Sequence, residues 1–171
     1  MFFFYIGSDD RGPVITMEEV SIIDVGPLNV VGTRRTGAYH DVAMVLPELF
    51  IHVSSNGMQM TGPPIYLCHE LTMEEVERAM RENDADLEVA IPVTGKFVEK
   101  GDIKAYKIPG GKMAKIVHKG PYDRVGETYG RLFEWMGRTG KKAKGPFREI
   151  YQNDPGKVPP EEILTEINVP I

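Results

Sequence analysis

HKGPYDRVGETYGRLFEWMGRTGKKAKGPFREIYQNDPGKVPPEEILTEINVPI, residues 118–171, is the stretch from which the fold can be read. It reads as a strand end, a helix, a strand carrying a glutamate, a Pro-rich turn and a closing strand. Asp123 is placed to cap the helix, whose Val125, Tyr129, Leu132, Phe133 and Met136 recur at helical spacing, and Gly140 stops it. Residues 147–153 and 164–171 read as the final strands. Just upstream, 102–108 and 112–118 read as two strands joined in a hairpin by Pro109, Gly110 and Gly111.

The same order stands earlier in the chain. Residues 20–25 (VSIIDV) and 29–35 (NVVGTRR) lean to strands, and Gly26, Pro27 and Leu28 between them read as a hairpin. Asp41 is placed to cap a helix whose Val42, Leu46, Leu49, Phe50 and Val53 fall at helical spacing. Pro47 inside it is expected to kink the helix or split off its first turn. After Gly57 come a short strand at 65–70, a helical excursion from Met73 to about Asn83 that Thr72 opens, and an alternating strand at 87–93.

A shift of ~83 residues lays Gly37 on Gly120, Tyr39 on Tyr122, Val42 on Val125, Leu49 on Leu132, Phe50 on Phe133 and Gly57 on Gly140 without a gap. The closing strands, Glu88 to Pro92 and Glu166 to Pro170, need a shorter offset, for which the excursion accounts. Two such copies, about 20–93 and 102–171, predict one α+β domain over 20–171. Each duplicated copy runs strand-strand-helix-strand-strand, which gives pseudo-two-fold symmetry and a mainly antiparallel sheet, and the seam between such halves favours a ligand. Residues 1–19 stand ahead of it as an extension. Their aromatic run, 2–6, is expected to add a strand at a sheet edge, with 8–13 as a break.

With 171 residues, 42% of them apolar and 26% charged, the chain can bury a core without a disulfide or metal staple. The single Cys68 excludes an intramolecular disulfide. A balance of 20 basic against 25 acidic residues, net −5, argues against a phosphate-binding surface, so no direct nucleic-acid binding is expected. Arg138, Lys141, Lys142 and Lys144 read as a solvated connector. The N-terminal apolar run meets Gly7, Asp9 and Asp10 too soon for a membrane span or an export signal, so a cytoplasmic location is expected, with no membrane contact. His40, His52, His69 and His118 lack zinc-ligand spacing, and no metal site is expected.

Strand alternation puts Glu149, Tyr151 and Asn153 on one face, against Arg148, Ile150 and Gln152. In the first copy it puts Tyr66, Cys68 and Glu70 against Ile65, Leu67 and His69. Ile65, Leu67 and Ile150 read as partners of the helix stripes. That leaves Tyr66, Cys68, Glu149 and Tyr151 on the opposite face, lining whatever the sheet curves around. A carboxylate in an apolar, aromatic-lined groove carries a desolvation cost that raises its pKa, and an organic cation relieves it. Tyr66, Tyr151 and Trp135 could add cation–π contacts of ~0.5–2 kcal/mol each. A plainer account fits the residues too. In it Glu149 is solvated or tied to Lys115, Tyr151 packs, Trp135 fills the core, Tyr39 and Tyr122 are structural, and Cys68 is a small buried residue.

HKGPYDRVGETYGRLFEWMGRTG, then GPFREIYQNDP, VPPEE and LTEINVPI, closely resemble the second repeat of GyrI-like (gyrase-inhibitor-like) domains. These are related to the AraC-type bacterial effector-binding domains and, more distantly, to SOUL haem-binding proteins. The resemblance spans roughly residues 20–171. It implies two strand-helix-strand-strand modules flanking a groove that takes hydrophobic, often cationic, small molecules, in many members as the sensing half of a transcription regulator. The acidic residue at the centre of that groove falls on Glu149 by motif position. Pro47, Cys68 at the place of Tyr151, and the excursion helix depart from the pattern.

Two functions follow. The first is a stand-alone binding module for lipophilic cations, with Glu149 as anchor and Tyr151, Tyr66 and Trp135 around it. No helix-turn-helix fits ahead of Val20, so a DNA-binding or gyrase-like partner is expected to be a separate chain. The second is a hydrolase, because some relatives resemble enzymes that open cyclopropane-bearing toxins with a glutamate and a tyrosine. Glu149 would then be the general base or stabilise a developing cation, and Tyr151 would orient or protonate the leaving carbon. Neither reading needs a cofactor. Haem on His118 or His52 follows only from the distant SOUL likeness.

Overall fold

The computed structural model describes residues 3–5, 14–16 and 19–171. Phe3–Tyr5 (β1) and Val14–Thr16 (β2) pair with each other in a two-stranded antiparallel sheet, so the expected edge strand does not extend the main one. The ends of the 2–6 run and the break at 8–13 lie outside the described residues. The first module then runs β3 (Ser21–Val25), β4 (Leu28–Gly37), α1 (Val42–Ser55), β5 (Gln59–Met60), β6 (Ile65–Cys68), α2 (Met73–Glu82) and β7 (Ala85–Thr94). The second runs β8 (Lys104–Ile108), β9 (Gly111–Lys119), α3 (Val125–Thr139), β10 (Phe147–Tyr151) and β11 (Leu164–Pro170).

The fold is α+β, with α1, α2 and α3 on one curled antiparallel sheet to which both modules contribute. Strand order is β3-β9-β11-β10-β6-β7-β4-β8, with β5 against the end of β7. Exchanging the two modules reverses that order onto itself, so a pseudo-two-fold axis passes between β6 and β10. The register agrees: Ser21 of the first module stands opposite Lys115 of the second, as Lys104 of the second stands opposite Gly32 of the first.

Neither expected hairpin forms. β3 pairs with β9 and β8 with β4, so each module lends its first strand to the other. The short connectors, Gly26-Pro27 and Pro109-Gly110, pass each other where the exchange occurs. A Cβ on Gly110 would run into the Val25 carbonyl oxygen and the Pro27 nitrogen, so this crossing requires glycine. Because β3 lies at one end of the sheet and β4 near the other, a connector of two residues can join them only if the sheet curls.

Locally the chain follows ordinary end chemistry. Thr72 caps α2, its Oγ1 accepting from Glu75 N–H at 3.2 Å while Glu75 Oε2 accepts from Thr72 N–H at 3.0 Å. Asp41, which ends the 3-10 turn Tyr39–Asp41, stands at the N-cap of α1 but makes no side-chain cap bond, and Asp123 lies in the 3-10 turn Tyr122–Arg124 that leads into α3, one residue short of its N-cap. Asp41 instead accepts the Ala38 N–H at 2.9 Å, steadying the turn. Pro47 leaves α1 unbroken. It lies on the exposed side, where the carbonyl it deprives of a donor can be hydrated. Phe50 is 39% exposed rather than core, and Val45 and His52 are buried in its stead.

The two sheet faces are used the other way round from the expectation. Helix residues Val45, Leu49, Val53, Leu132 and Met136 pack with Tyr66, Cys68, Val89, Phe147 and Ile167 in the main core. Ile65, Leu67 and Ile150 belong to a smaller outer cluster with Val30, Ala90, Ile108 and Tyr106. Alternation sorted the residues into faces correctly, but apolar character on both faces did not say which one the helices cover. α1 packs over β7 and α3 over β9, leaving the central pair β6·β10 between them. Among the described residues no helix is long and apolar enough to cross a membrane.

Candidate functional site

β10 carries the site from the core outward. Phe147 is fully buried, and alternation sets Glu149 and Tyr151 beside it on the helix-covered face. Glu149 lies deep among protein atoms yet keeps partial accessibility. Its Oε1 accepts from Tyr129 Oη at 2.8 Å, and its Oε2 accepts from Tyr151 Oη at 3.3 Å. Burial raises the carboxyl pKa, and the two hydroxyl donors offset that rise only in part. Burial and the neighbouring carboxylate push both phenols well above their ordinary value, so they remain donors.

Among the described residues no base forms an ion pair with Glu149. Lys115 pairs with Glu166 at 2.7 Å on the outer face instead. Glu88 there meets His69 Nε2 at 2.7 Å, so the two repeat-related glutamates share a structural role.

Aromatic rings close around the carboxylate. Tyr122 meets Tyr151 edge to face with ring centroids 5.6 Å apart, and Tyr129 meets Phe147 in the same way at 5.5 Å. Phe133 leans on Phe147 at 5.3 Å. Directly across the β6·β10 pair, Tyr66 is the partner of Glu149 in register. It is 4% exposed, and its hydroxyl has no hydrogen-bond partner. Beyond it, Cys68 Sγ donates to Glu70 Oε2 at 3.4 Å, and Glu70 Oε1 accepts from Asp86 N–H at 2.9 Å. Burial, then the Glu70 carboxylate, pushes the Cys68 thiol up to about 12.

Of the four residues expected at the site, Glu149, Tyr151 and Tyr66 come together. Trp135 does not join them: it is 5% exposed, on the flank of α3 that also buries Thr128, away from the stripe that carries Tyr129. Tyr129, the shortest contact to the carboxylate, reads from its spacing as a core residue and was missed. Tyr122 belongs with the aromatic wall rather than with structure alone. A separate hollow of about 540 Å³ at Lys112, Gly140, Lys141, Lys142, Lys144 and Ile171 shares no residue with this cluster.

The two histidines named for haem are engaged in the fold. His118 Nε2 donates to the Pro121 carbonyl at 3.0 Å, which leaves Nδ1 to accept from Thr128 Oγ1 at 2.8 Å. His52 Nε2 lies 2.7 Å from the Val98 carbonyl. These contacts do not fit an axial ligand role.

Residues 18–171 match the model of the GyrI-like small molecule binding domain. Among solved structures, the EcmrR C-terminal domain aligns with a TM-score of 0.78 at 22% identity, over 88% of this chain and 95% of that one. Against EcmrR in its complex with DNA the TM-score is 0.75, and this chain spans 56% of the EcmrR chain. A hydrolase encoded by lin2189 from Listeria innocua aligns with a TM-score of 0.59 at 17% identity, over 88% of this chain and 90% of that one. SAV2435, solved bound to tetraphenylphosphonium, aligns with a TM-score of 0.57 at 16% identity, over 90% of this chain and 93% of that one. At these identities the likeness is one of fold. No curated protein matched.

Proposed function

The chain belongs to the family of GyrI-like small molecule binding domains, and we propose that it takes lipophilic organic cations between α1 and α3, with Glu149 as the charge anchor. The observation that carries this reading is a carboxylate that burial penalises and that no base neutralises among the described residues, held by two tyrosine hydroxyls inside an aromatic wall. An organic cation offsets that penalty while its apolar body buries against Tyr122, Tyr129 and Tyr151. The tetraphenylphosphonium on SAV2435 and the effector role implied for this family point the same way. A regulatory output would run through a DNA-binding or gyrase-like partner; in EcmrR the matching domain belongs to a longer chain solved with DNA.

The test is a thermal-shift comparison of wild type and Glu149→Gln with tetraphenylphosphonium and with uncharged triphenylphosphine oxide. Stabilisation of wild type by the cation, about 2.7 kcal/mol at a hundredfold excess over Kd, and its loss in Glu149→Gln support the anchor. Equal shifts in both proteins would remove it.

One observation favours a second reading. Tyr151 and Tyr129 reach the carboxylate within hydrogen-bond distance, the convergence a hydrolase needs to activate a water and protonate a leaving carbon. Addition of water to an activated cyclopropane, followed by mass spectrometry and lost in both Glu149→Gln and Tyr151→Phe, would make hydrolysis the leading account.

A further inference from the structure

Around Glu149 nearly every polar group is accounted for. The carboxylate accepts from Tyr129 and Tyr151, the Cys68 thiol donates to Glu70, and the second Glu70 oxygen takes the Asp86 amide. Three hydroxyls are left over, one of them Thr165 Oγ1 opposite Tyr151. The other two, Tyr66 Oη and Tyr39 Oη, are both buried without a hydrogen-bond partner. Folded proteins leave few buried donors unpaired, and a pair of them at one end of a binding concavity calls for a specific cause. Burial keeps both phenols protonated, with Cys68 beside each and the Glu70 carboxylate beside Tyr39, so each remains a hydrogen-bond donor.

Their placement gives an acceptor a position. Tyr66 is the direct register partner of Glu149 and rises from the same sheet face. Opposed residues of an antiparallel pair stand on the order of 5 Å apart at their bases. The repeat relates the two positions, and only one of them carries an acceptor: the second module presents a carboxylate where the first presents a phenol. A cation alone answers Glu149 and leaves Tyr66 unsatisfied.

We infer that the ligand is bipolar, a lipophilic cation carrying a neutral hydrogen-bond acceptor such as an ester, amide, ketone or N-oxide oxygen, which seats on Tyr66 Oη while the charge sits at Glu149. This rests on Glu149 as the cation anchor and adds the chemistry of the other half of the site. Tyr39, at the same end, supplies a second donor. A simple tetraalkyl or tetraaryl cation is therefore an incomplete match.

The experiment compares two phosphonium ions of matched length by calorimetry, triphenylphosphonium with a 4-ethoxy-4-oxobutyl arm and triphenylphosphonium with a heptyl arm. Wild type, Tyr66→Phe and Glu149→Gln are measured with both. The expected result is that wild type prefers the ester by about five- to tenfold, one good hydrogen bond. Tyr66→Phe, which keeps the ring, loses the preference between the two cations. Glu149→Gln weakens both cations. Equal affinities of the two cations in wild type, or a preference that survives Tyr66→Phe, overturn the inference. If neither cation binds wild type, the anchor reading fails on its own. The donor then stands only if triphenylphosphine oxide binds wild type and not Tyr66→Phe; no binding of the oxide overturns it too.

Discussion

Tyr129 Oη lies 2.8 Å from Glu149 Oε1, so helix α3 is fastened to the strand beneath it through the carboxylate itself. The contact couples the position of the helix to the charge state of the groove. It also makes the electrostatics of Glu149 testable without knowledge of the natural ligand.

Glu149 should make stability fall as pH rises. Its folded pKa is raised by burial above the unfolded value of about 4.3. Below that value both states hold the proton. As pH climbs through the raised folded value the unfolded chain has already released its proton, and stability declines until the folded group ionises too. Glu149→Gln does not titrate, so its melting temperature relative to wild type should rise from acid to neutral pH. The gain is about 1.4 kcal/mol for each unit by which the pKa is raised. A difference that is flat with pH would contradict the shift.

Removing a donor should raise that pKa further. Tyr129→Phe deletes the 2.8 Å hydrogen bond and Tyr151→Phe the 3.3 Å one, so the first should have the larger effect. The pH midpoint of tetraphenylphosphonium binding should move up by about one unit in Tyr129→Phe and by less in Tyr151→Phe. Titrating affinity across pH for the three proteins checks the order.

The modules should not fold apart. β3 has its partner β9 in the second module, and β8 has β4 in the first. Fragments 20–95 and 102–171 are each expected to lack a cooperative thermal transition, and an equimolar mixture to recover one, as followed by circular dichroism.

Cys68 should resist thiol reagents. With its pKa pushed up to about 12 and its side chain buried, roughly one thiol in 10⁴ is ionised at about pH 8. Wild type should react with a disulfide reagent orders of magnitude more slowly folded than in denaturant.

Much of this architecture was legible because the chain states it twice. The copies set the helices, the closing strands and the residues that share a face with Glu149. Partner choice among strands was not legible, because Gly26-Pro27 and Pro109-Gly110 are as compatible with a hairpin as with a crossover. Only the curl of the whole sheet distinguishes the two. Nor was the buried face, since Ile65 and Leu67 are as apolar as Tyr66 and Cys68. The site had a signal that went unread. At three places where the copies differ in chemistry, Leu46 against Tyr129, Tyr66 against Glu149 and Cys68 against Tyr151, the second copy supplies all three groups of the carboxylate cluster. Trp135, which the repeat sets against His52, differs as sharply, yet the fold buries it on the other flank of α3, so contrast between copies marks the cluster only together with position on the sheet face.

The lending of first strands between modules bears on ancestry. A chain holding one module would leave its first strand unpaired and its second strand bare, so it would be complete only as a pair of identical subunits, each reaching into the other. In such a pair the axis brings a residue face to face with its own twin, and the floor of the cleft is bound to be symmetric. Joining the subunits end to end frees those twins to diverge. Tyr66 and Glu149 occupy that axis today as different residues, which gives the cleft a direction that no homodimer of this design could have had.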